Sequence, residues 1–318
     1  MATDQILDVD LLAFESGDSS SRRAVVDGVM RSLTSGFVYT AHDLSAGLLD
    51  DAYGKLGQFF SSSTEEKAKY VVPGSFGQTG YTGLLVETAA SADVADWKEM
   101  LNWGAPLPDA HPLKEHHPFR YNPPVLPEET VPGIEAVLLE FHARIFEIQR
   151  RFLRIIAVGL GCHENFFDEM LSDGPTLTRA IRYPPMPEAP TGEHVWAAAH
   201  DDINLITALP RATAKGLQVQ IDEGWVDAIP PDGHMVINTG MMLERLTNGV
   251  LPPGTHRVVG DPANPGERLS VVQFCHPTPW TILSPIPSCV TDDRPLGYSA
   301  ISASSALKKV LWEINLLN

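Results

Sequence analysis

Leu217-Gln-Val-Gln-Ile221, Glu223-Gly224, Trp225-Val-Asp-Ala-Ile229, Pro230-Pro-Asp-Gly233 and Met235-Val-Ile-Asn238 follow one another with only Asp222 and His234 between them. Three β-prone runs are separated by turn residues, which is the pattern of consecutive short strands. The same texture extends outward. Thr176–Tyr183, His256–Val259 and Leu269–Cys275 are further runs, and Pro184-Pro185 and the stretch from Pro262 through Gly266 are further breaks. Many short strands with regular turn signals predict an antiparallel sandwich or barrel from about Pro175 onward.

Upstream, the chain reads mostly as helix. Val25, Val26, Val29, Met30 and Leu33 share one helical face, with Gly36 as a stop, and Leu48, Leu49, Ala52, Tyr53, Leu56, Phe59 and Phe60 form a second stripe. The stretch from Gly74 to Gly83 lacks periodicity, and the stretch from Pro106 to Pro127 reads as loop. The clearest helix spans about Ile134 to Val158, where Ile134, Val137, Leu138, Phe141, Ile145, Ile148, Phe152 and Ile155 recur at three- and four-residue spacing. Gly159 and Gly161 end it, and it is expected to be a spine on which the sheet packs. Ser304 to Leu317 reads as a closing helix.

The 318 residues are 43% hydrophobic and 20% charged, ample for a sizeable core. Net charge is −17, which argues against nucleic acid or an anionic membrane as the main partner. Cys162, Cys275 and Cys289 form no C-x-x-C pair and suggest no disulfide framework. Met1 to Asp10 carries Asp4, Asp8 and Asp10 rather than a basic segment before an apolar one, so no signal peptide is read there. No apolar run reaches membrane-spanning length. A cytoplasmic location is expected.

In Ala199-His200-Asp201-Asp202-Ile203-Asn204, a His and an Asp stand two residues apart. Along a strand, such residues point to the same side, so His200 and Asp202 converge while Asp201 points away. His256 opens another strand, in Gly254-Thr255-His256-Arg257-Val258-Val259. Two imidazoles and one carboxylate on one face, with coordination positions left open, make the facial triad of non-haem Fe(II) oxygenases. The H-x-D spacing is weak by itself in a chain with 11 histidines. The wider sequence adds to it.

Following His200-Asp-Asp-Ile-Asn-Leu-Ile-Thr come Gly216-Leu-Gln-Val, Trp225-Val, Pro231-Asp-Gly, Val236-Ile-Asn, Leu246-Thr-Asn-Gly, His256-Arg-Val and Arg268-Leu-Ser270. In this order and spacing the chain resembles the isopenicillin N synthase-like branch of the Fe(II)/2-oxoglutarate dioxygenases. Gly36-Phe-Val-Tyr, Phe59-Phe60 before Glu65-Glu66-Lys67, and Asp96-Trp-Lys-Glu-Met carry the resemblance into the first half. Gly80-Tyr-Thr-Gly83 is similar to a stretch of the deacetoxycephalosporin synthases. The chain departs from the family at Met241, where relatives often have Asp, and at Ile181 and Arg182, which replace the Asn and first Tyr of plant relatives.

The resemblance implies a mainly β fold with flanking helices around a distorted double-stranded β-helix (jelly roll) core. It implies one globular unit: an N-terminal dioxygenase region at 5–125, the spine helix at 126–173, the jelly-roll core at 174–285 and a C-terminal helical segment at 286–318. It implies Fe(II) on His200, Asp202 and His256, with 2-oxoglutarate as co-substrate and O2 as oxidant. Arg268 and Ser270 match the family's R-x-S pair, which grips the distal carboxylate of 2-oxoglutarate, and Tyr183 matches a tyrosine bonding the same group. An Arg fork and a hydroxyl two residues on, along one strand face, suit a carboxylate. The implied reaction oxidises a C–H bond of a small molecule, as in secondary metabolism, with Tyr81, Leu84 and the vicinity of Tyr298 expected at the substrate pocket. Arg182 is either a substrate contact or a sheet-edge charge. Two other readings stand: an iron oxidase of the same fold that does not use 2-oxoglutarate, and a metal-free jelly roll that binds a small molecule. Oligomeric state is not legible.

Overall fold

The computed structural model describes residues 6–88, 94–118, 120–191, 194–261 and 266–313. The chain opens with β1 (Asp8–Asp10), α1 (Leu11–Ser16), α2 (Ser19–Ser32), β2 (Phe37–Ala41), α3 (Ala46–Phe60), α4 (Thr64–Ala68), β3 (Gly80–Thr82) and β4 (Glu99–Gly104). Next come α5 (Pro112–His116), α6 (Ile134–Gly159), α7 (Asp168–Leu171), β5 (Leu177–Tyr183), β6 (Ala197–His200) and β7 (Ile206–Leu209). The last part holds β8 (Leu217–Ile221), β9 (Gly224–Asp227), β10 (His234–Thr239), α8 (Met241–Leu246), β11 (His256–Val258), β12 (Arg268–Cys275), β13 (Ile282–Leu283), β14 (Ile301–Ser302) and α9 (Ala303–Glu313).

Two sheets do the architectural work. The larger has eight strands in the order β1-β2-β10-β7-β12-β5-β4-β3, and the smaller has four in the order β6-β11-β8-β9. Pairing is antiparallel except between β1 and β2. Side chains of the larger sheet alternate between two cores, as the period of a strand requires. Leu101, Ala180, Met235, Ile237 and Val271 face the helices, whereas Met100, Ile181, Tyr183 and Val236 meet Trp196, Val219 and Val258 of the smaller sheet's side. The larger sheet is therefore the middle layer, with helices behind it and the smaller sheet in front. This is the double-stranded β-helix arrangement.

The spine helix forms as the spacing predicts. Leu138, Phe141, Ile145, Ile148, Phe152 and Ile155 of α6 are all buried. Each such side chain contributes roughly 1.5–3 kcal/mol of transfer free energy. The Glu128 carboxylate accepts the N–H groups of Gly133 and Glu135 at the helix start, which satisfies donors that have no partner within the helix. Gln149 reaches from α6 to the backbone carbonyls of Ile206 and Gln273, tying the helix to β7 and β12.

The first half is less helical than its periodicity suggests. It supplies β1 to β4, and β2 and β4 are interior strands of the larger sheet. β4 is buried along nearly its whole length, so it shows no alternation for a sequence reading to find. The stretch from Gly74 to Gly83 contains edge strand β3, and the Pro-rich stretch contains the one-turn α5. Of the expected closing helix, Ala303–Glu313 is helical and the remainder lies outside the described residues. Among the described residues, no helix is long and apolar enough to cross a membrane.

Candidate active site

His200 ends β6 and His256 begins β11, and the two are direct partners in the antiparallel pair. Their ring centroids lie 4.4 Å apart. Each Nδ1 is within bonding distance of a backbone carbonyl two residues back, 2.7 Å to Ala198 O and 2.9 Å to Gly254 O. A carbonyl only accepts, so Nδ1 carries the proton in both rings and Nε2 keeps its lone pair. Both rings are thereby fixed in the tautomer a metal needs. Gly254 is also where the chain passes closest to Gly36, in a contact with no room for a side chain: a Cβ on Gly36 would stand 2.5 Å from Gly254 Cα. This close approach sets the path of the backbone into His256.

Asp202 lies two residues past the end of β6, just before the bend at 203–205 that leads into β7. β6 stops at His200, so Asp202 is not on the strand that the i, i+2 argument supposed. Met241 N–H donates to Asp202 O at 2.8 Å and holds the backbone there. One carboxylate oxygen of Asp202, Oδ2, accepts from Thr207 at 2.5 Å and from Asn238 Nδ2 at 2.8 Å. No protein donor is placed on the other oxygen among the described residues. Asp201 turns to the opposite partner and accepts from Thr255 at 2.5 Å, tying the β6 exit to the β11 entry.

One ligand atom from each of His200, Asp202 and His256 can be chosen so that all lie within 4.8 Å of one another. Asp202 is 5% exposed. Burial, with His256 beside it, pushes the His200 imidazole down to about 4, so the ring is neutral near pH 7. Burial alone would raise the Asp202 carboxyl, but the facing His256 and His200 and the bonds from Thr207 and Asn238 outweigh it and hold the group below its ordinary range. Two imidazoles and one carboxylate fit a divalent ion of the iron type.

Arg268 and Ser270 lie on the cavity face of β12, and Tyr183 is the direct partner of Arg268 on β5. Arg268 is 1% exposed. Its Nε donates to Ala214 O at 3.1 Å, its Nη1 donates to Ser270 Oγ at 2.8 Å, and its Cζ stands 5.2 Å from the centre of the Tyr183 ring. Burial pulls the guanidinium below its ordinary value, against the opposing effect of Tyr183 and Tyr53. No carboxylate forms a salt bridge with it among the described residues. The triad, Arg268, Ser270 and Tyr183 all line one cavity that opens to solvent.

Several functional neighbours were not legible. Thr207 and Asn238, which orient Asp202, sit on two different strands far apart in sequence. Lys98 and Arg179 line the same cavity. Arg179 shares its strand face with Ile181 and Tyr183, and that i, i+2, i+4 relation was the available signal. Other expectations shift. Tyr81 is buried against Glu99 and away from the cavity lining, Leu84 is 38% exposed, and Tyr298 lines a separate cavity with Met241 and Arg245. Arg182 is a structural charge, paired with Glu99 at 2.7 Å and Glu267 at 2.8 Å.

Two family models match the chain. Residues 6–129 match the non-haem dioxygenase in morphine synthesis N-terminal family, and residues 175–277 match the 2OG-Fe(II) oxygenase superfamily. A solved structure from Caulobacter crescentus, a putative 2OG-Fe(II) oxygenase family protein, is 32% identical, covers 97% of this chain and 99% of that one, and superposes with a TM-score of 0.85. Leucoanthocyanidin dioxygenase 1 of Oryza sativa subsp. japonica is 31% identical over 93% of this chain and 78% of its own length. Isopenicillin N synthase of Flavobacterium sp. is 33% identical over 46% of each chain, so that likeness spans about half of the relative.

Proposed function

The chain belongs to the 2OG-Fe(II) oxygenase superfamily, and we propose that His200, Asp202 and His256 hold its iron while Arg268, Ser270 and Tyr183 hold its 2-oxoglutarate. It is a Fe(II)- and 2-oxoglutarate-dependent dioxygenase that oxidises a C–H bond of a small molecule. We read the four regions 5–125, 126–173, 174–285 and 286–318 as parts of one working unit, in keeping with the two matched segments.

When bound, the iron supplies the redox chemistry: with 2-oxoglutarate and O2 it yields succinate, CO2 and an oxidised substrate, one oxygen atom of O2 entering succinate. The remaining work falls to the chain. His200 and His256 present Nε2 because backbone carbonyls hold Nδ1. Asp202 presents one oxygen because Thr207 and Asn238 hold the other. Three protein ligands leave positions for a chelating co-substrate and for O2. Arg268 is anchored by Ala214 and Ser270, so its remaining N–H groups stay aimed into the cavity. Ser270 Oγ accepts from Arg268, which leaves its hydroxyl hydrogen for a carboxylate.

The observation that carries this reading is the buried charge of Arg268. A guanidinium 1% exposed, with no salt bridge to it among the described residues, lies across one cavity from a His-Asp-His cluster. Burial of an unpaired charge is costly, so a dianionic ligand as its counter-ion accounts for the arrangement. The test is succinate formed against 2-oxoglutarate concentration with iron saturating. Succinate that appears only with iron and 2-oxoglutarate together is the expected result. The likeness to isopenicillin N synthase favours a second reading, an oxidase that needs no 2-oxoglutarate. Substrate-dependent O2 uptake without 2-oxoglutarate would establish it instead.

A further inference from the structure

Although the chain has a net charge of −17, Lys98, Arg179 and Arg268 all line the active-site cavity, and among the described residues Asp202 is the one acidic residue lining it. Arg268 is accounted for by 2-oxoglutarate. Arg179 has no such role, and Lys98, though paired with Asp96, lines the same cavity. Arg179 lies on the same face of β5 as Tyr183, four residues away, and its partner on β12 is Val272, whereas Tyr183 is paired with Arg268. At about 3.3 Å per residue, that places the two arginines' strand positions roughly 13 Å apart. The five-carbon backbone of 2-oxoglutarate spans only about 6 Å at ordinary bond lengths. Arg179 thus stands at a different strand position from the Arg268–Tyr183 pair that holds the co-substrate in this reading.

The bonding of Arg179 is incomplete at the end facing the cavity. Its Nε donates to Asn102 Oδ1 at 2.7 Å, which fixes the plane of the group. Its terminal nitrogens make only long contacts, Nη1 to Glu87 Oε2 at 3.4 Å and Nη2 to Gly77 O at 3.3 Å. Charge-assisted bonds run at about 2.7–2.9 Å. Lys98 Nζ is matched by Asp96 at 2.8 Å and reaches the same Glu87 oxygen at 3.3 Å. Glu87 is thus shared loosely between two cations and is not among the residues lining the cavity. Beside Arg179 the wall turns apolar, with Ile181, Val272 and Phe274. The guanidinium carbon is 5.6 Å from the Phe274 ring centre.

Resting on the reading of the triad as the iron site, we propose that the substrate is a small carboxylic acid with an apolar body, its carboxylate held by the terminal nitrogens of Arg179 and by Lys98. The planar fork of an arginine suits a carboxylate bidentately, and the long contacts to Glu87 and Gly77 leave room for a closer acceptor on the terminal nitrogens. The apolar strip next to it then lies along the part of the substrate to be oxidised.

The test uses the full chain loaded with Mn(II) and 2-oxoglutarate, so that binding is read without turnover. Calorimetry follows 3-phenylpropionate and hexanoate, each against its methyl ester. In the wild type each acid binds at least about tenfold tighter than its ester, the scale expected for a buried charge pair. In Arg179→Gln the difference shrinks to within about twofold, and Arg179→Lys keeps part of it. In Arg268→Leu without 2-oxoglutarate the acid–ester difference persists. Equal affinities in the wild type, no binding by either acid, or discrimination that survives in a folded Arg179→Gln variant would each overturn the proposal. Loading of 2-oxoglutarate is measured first on the same samples. Its failure would count against the co-substrate assignment, and the acid titration of the Mn(II) protein alone still decides this one.

Discussion

The two oxygens of Asp202 have separate duties, and mutation can tell them apart. Oδ2 is held by Thr207 and Asn238, so Oδ1 is the oxygen without a protein partner to give to a metal shared with His200 and His256. Removing a group that orients a ligand typically costs about 10–100-fold in metal affinity. Thr207→Val is therefore expected to weaken iron binding by that factor with the ligand set intact, and Asp202→Asn to weaken it more. Asp201→Asn keeps an oxygen to accept from Thr255, so iron content should stay near wild type. Colorimetric iron titration against a competing chelator measures all three. Iron lost by Asp201→Asn and kept by Asp202→Asn would reverse the assignment. Arg268 is the second residue to test. Losing one partner of a buried charge pair costs about 2–5 kcal/mol, so Arg268→Leu should raise the 2-oxoglutarate requirement at least about tenfold. Ser270→Ala removes one hydroxyl bond to a charged group, roughly 1.5–3 kcal/mol, and should do less. Neither change touches a proposed ligand, and an unchanged 2-oxoglutarate curve for Arg268→Leu would refute its role.

Elements differ in how much of themselves the sequence displays. α6 was legible because one face of a long helix is buried and the other is wet, which prints a 3.6-residue period. β8, β10 and β12 were legible as β-prone runs between turns. β7 was not read as a strand, and β6 was supposed to run through Asp202 but ends at His200. Their pairing comes from partners distant in sequence, which no local pattern reports. Arg268 and Ser270 were proposed from the resemblance, with their shared strand face in agreement, whereas Thr207, Asn238 and Lys98 reach the site only through the topology of the sheets. α6 also carries a testable titration. His142 packs against Thr178 of β5 at 2.7 Å, and burial pushes its imidazole down to about 4. The unfolded chain binds that proton near pH 6.5, so stability is complete above that pH and falls as pH drops from about 6.5 toward 4. From pH 8 to 5.5 the loss from this group is about 1.4 kcal/mol. Urea midpoints at the two pH values should differ less by that amount in His142→Gln. An identical pH dependence in the variant would remove His142 from the account.

At the scale of the whole molecule, the proposed metal is a tie between layers. His200 and His256 belong to the four-stranded sheet, whereas Asp202 is clamped by Thr207 of β7 and Asn238 of β10 in the eight-stranded one. An ion bound to all three joins sheets that otherwise meet through packed side chains. A ligand that binds only the folded state stabilises it by about 2.7 kcal/mol at a hundred times its Kd. With an unfolding entropy of about 2.1 cal/mol/K per residue, the 318 residues convert that into a rise in Tm of about 4 °C. Mn(II) serves as the ion, since it permits the measurement in air. The wild type should show this rise and Asp202→Ala should show almost none. 2-Oxoglutarate should then raise Tm further with Mn(II) present than without it, because a co-substrate that chelates the ion couples the two binding events. Arg268→Leu should keep the shift from Mn(II) and lose most of the increment from 2-oxoglutarate. A metal-free binding jelly roll predicts the reverse: no response to Mn(II), and a ligand shift indifferent to it. Equal Mn(II) shifts in the wild type and Asp202→Ala would place the ion elsewhere and take the triad out of the mechanism.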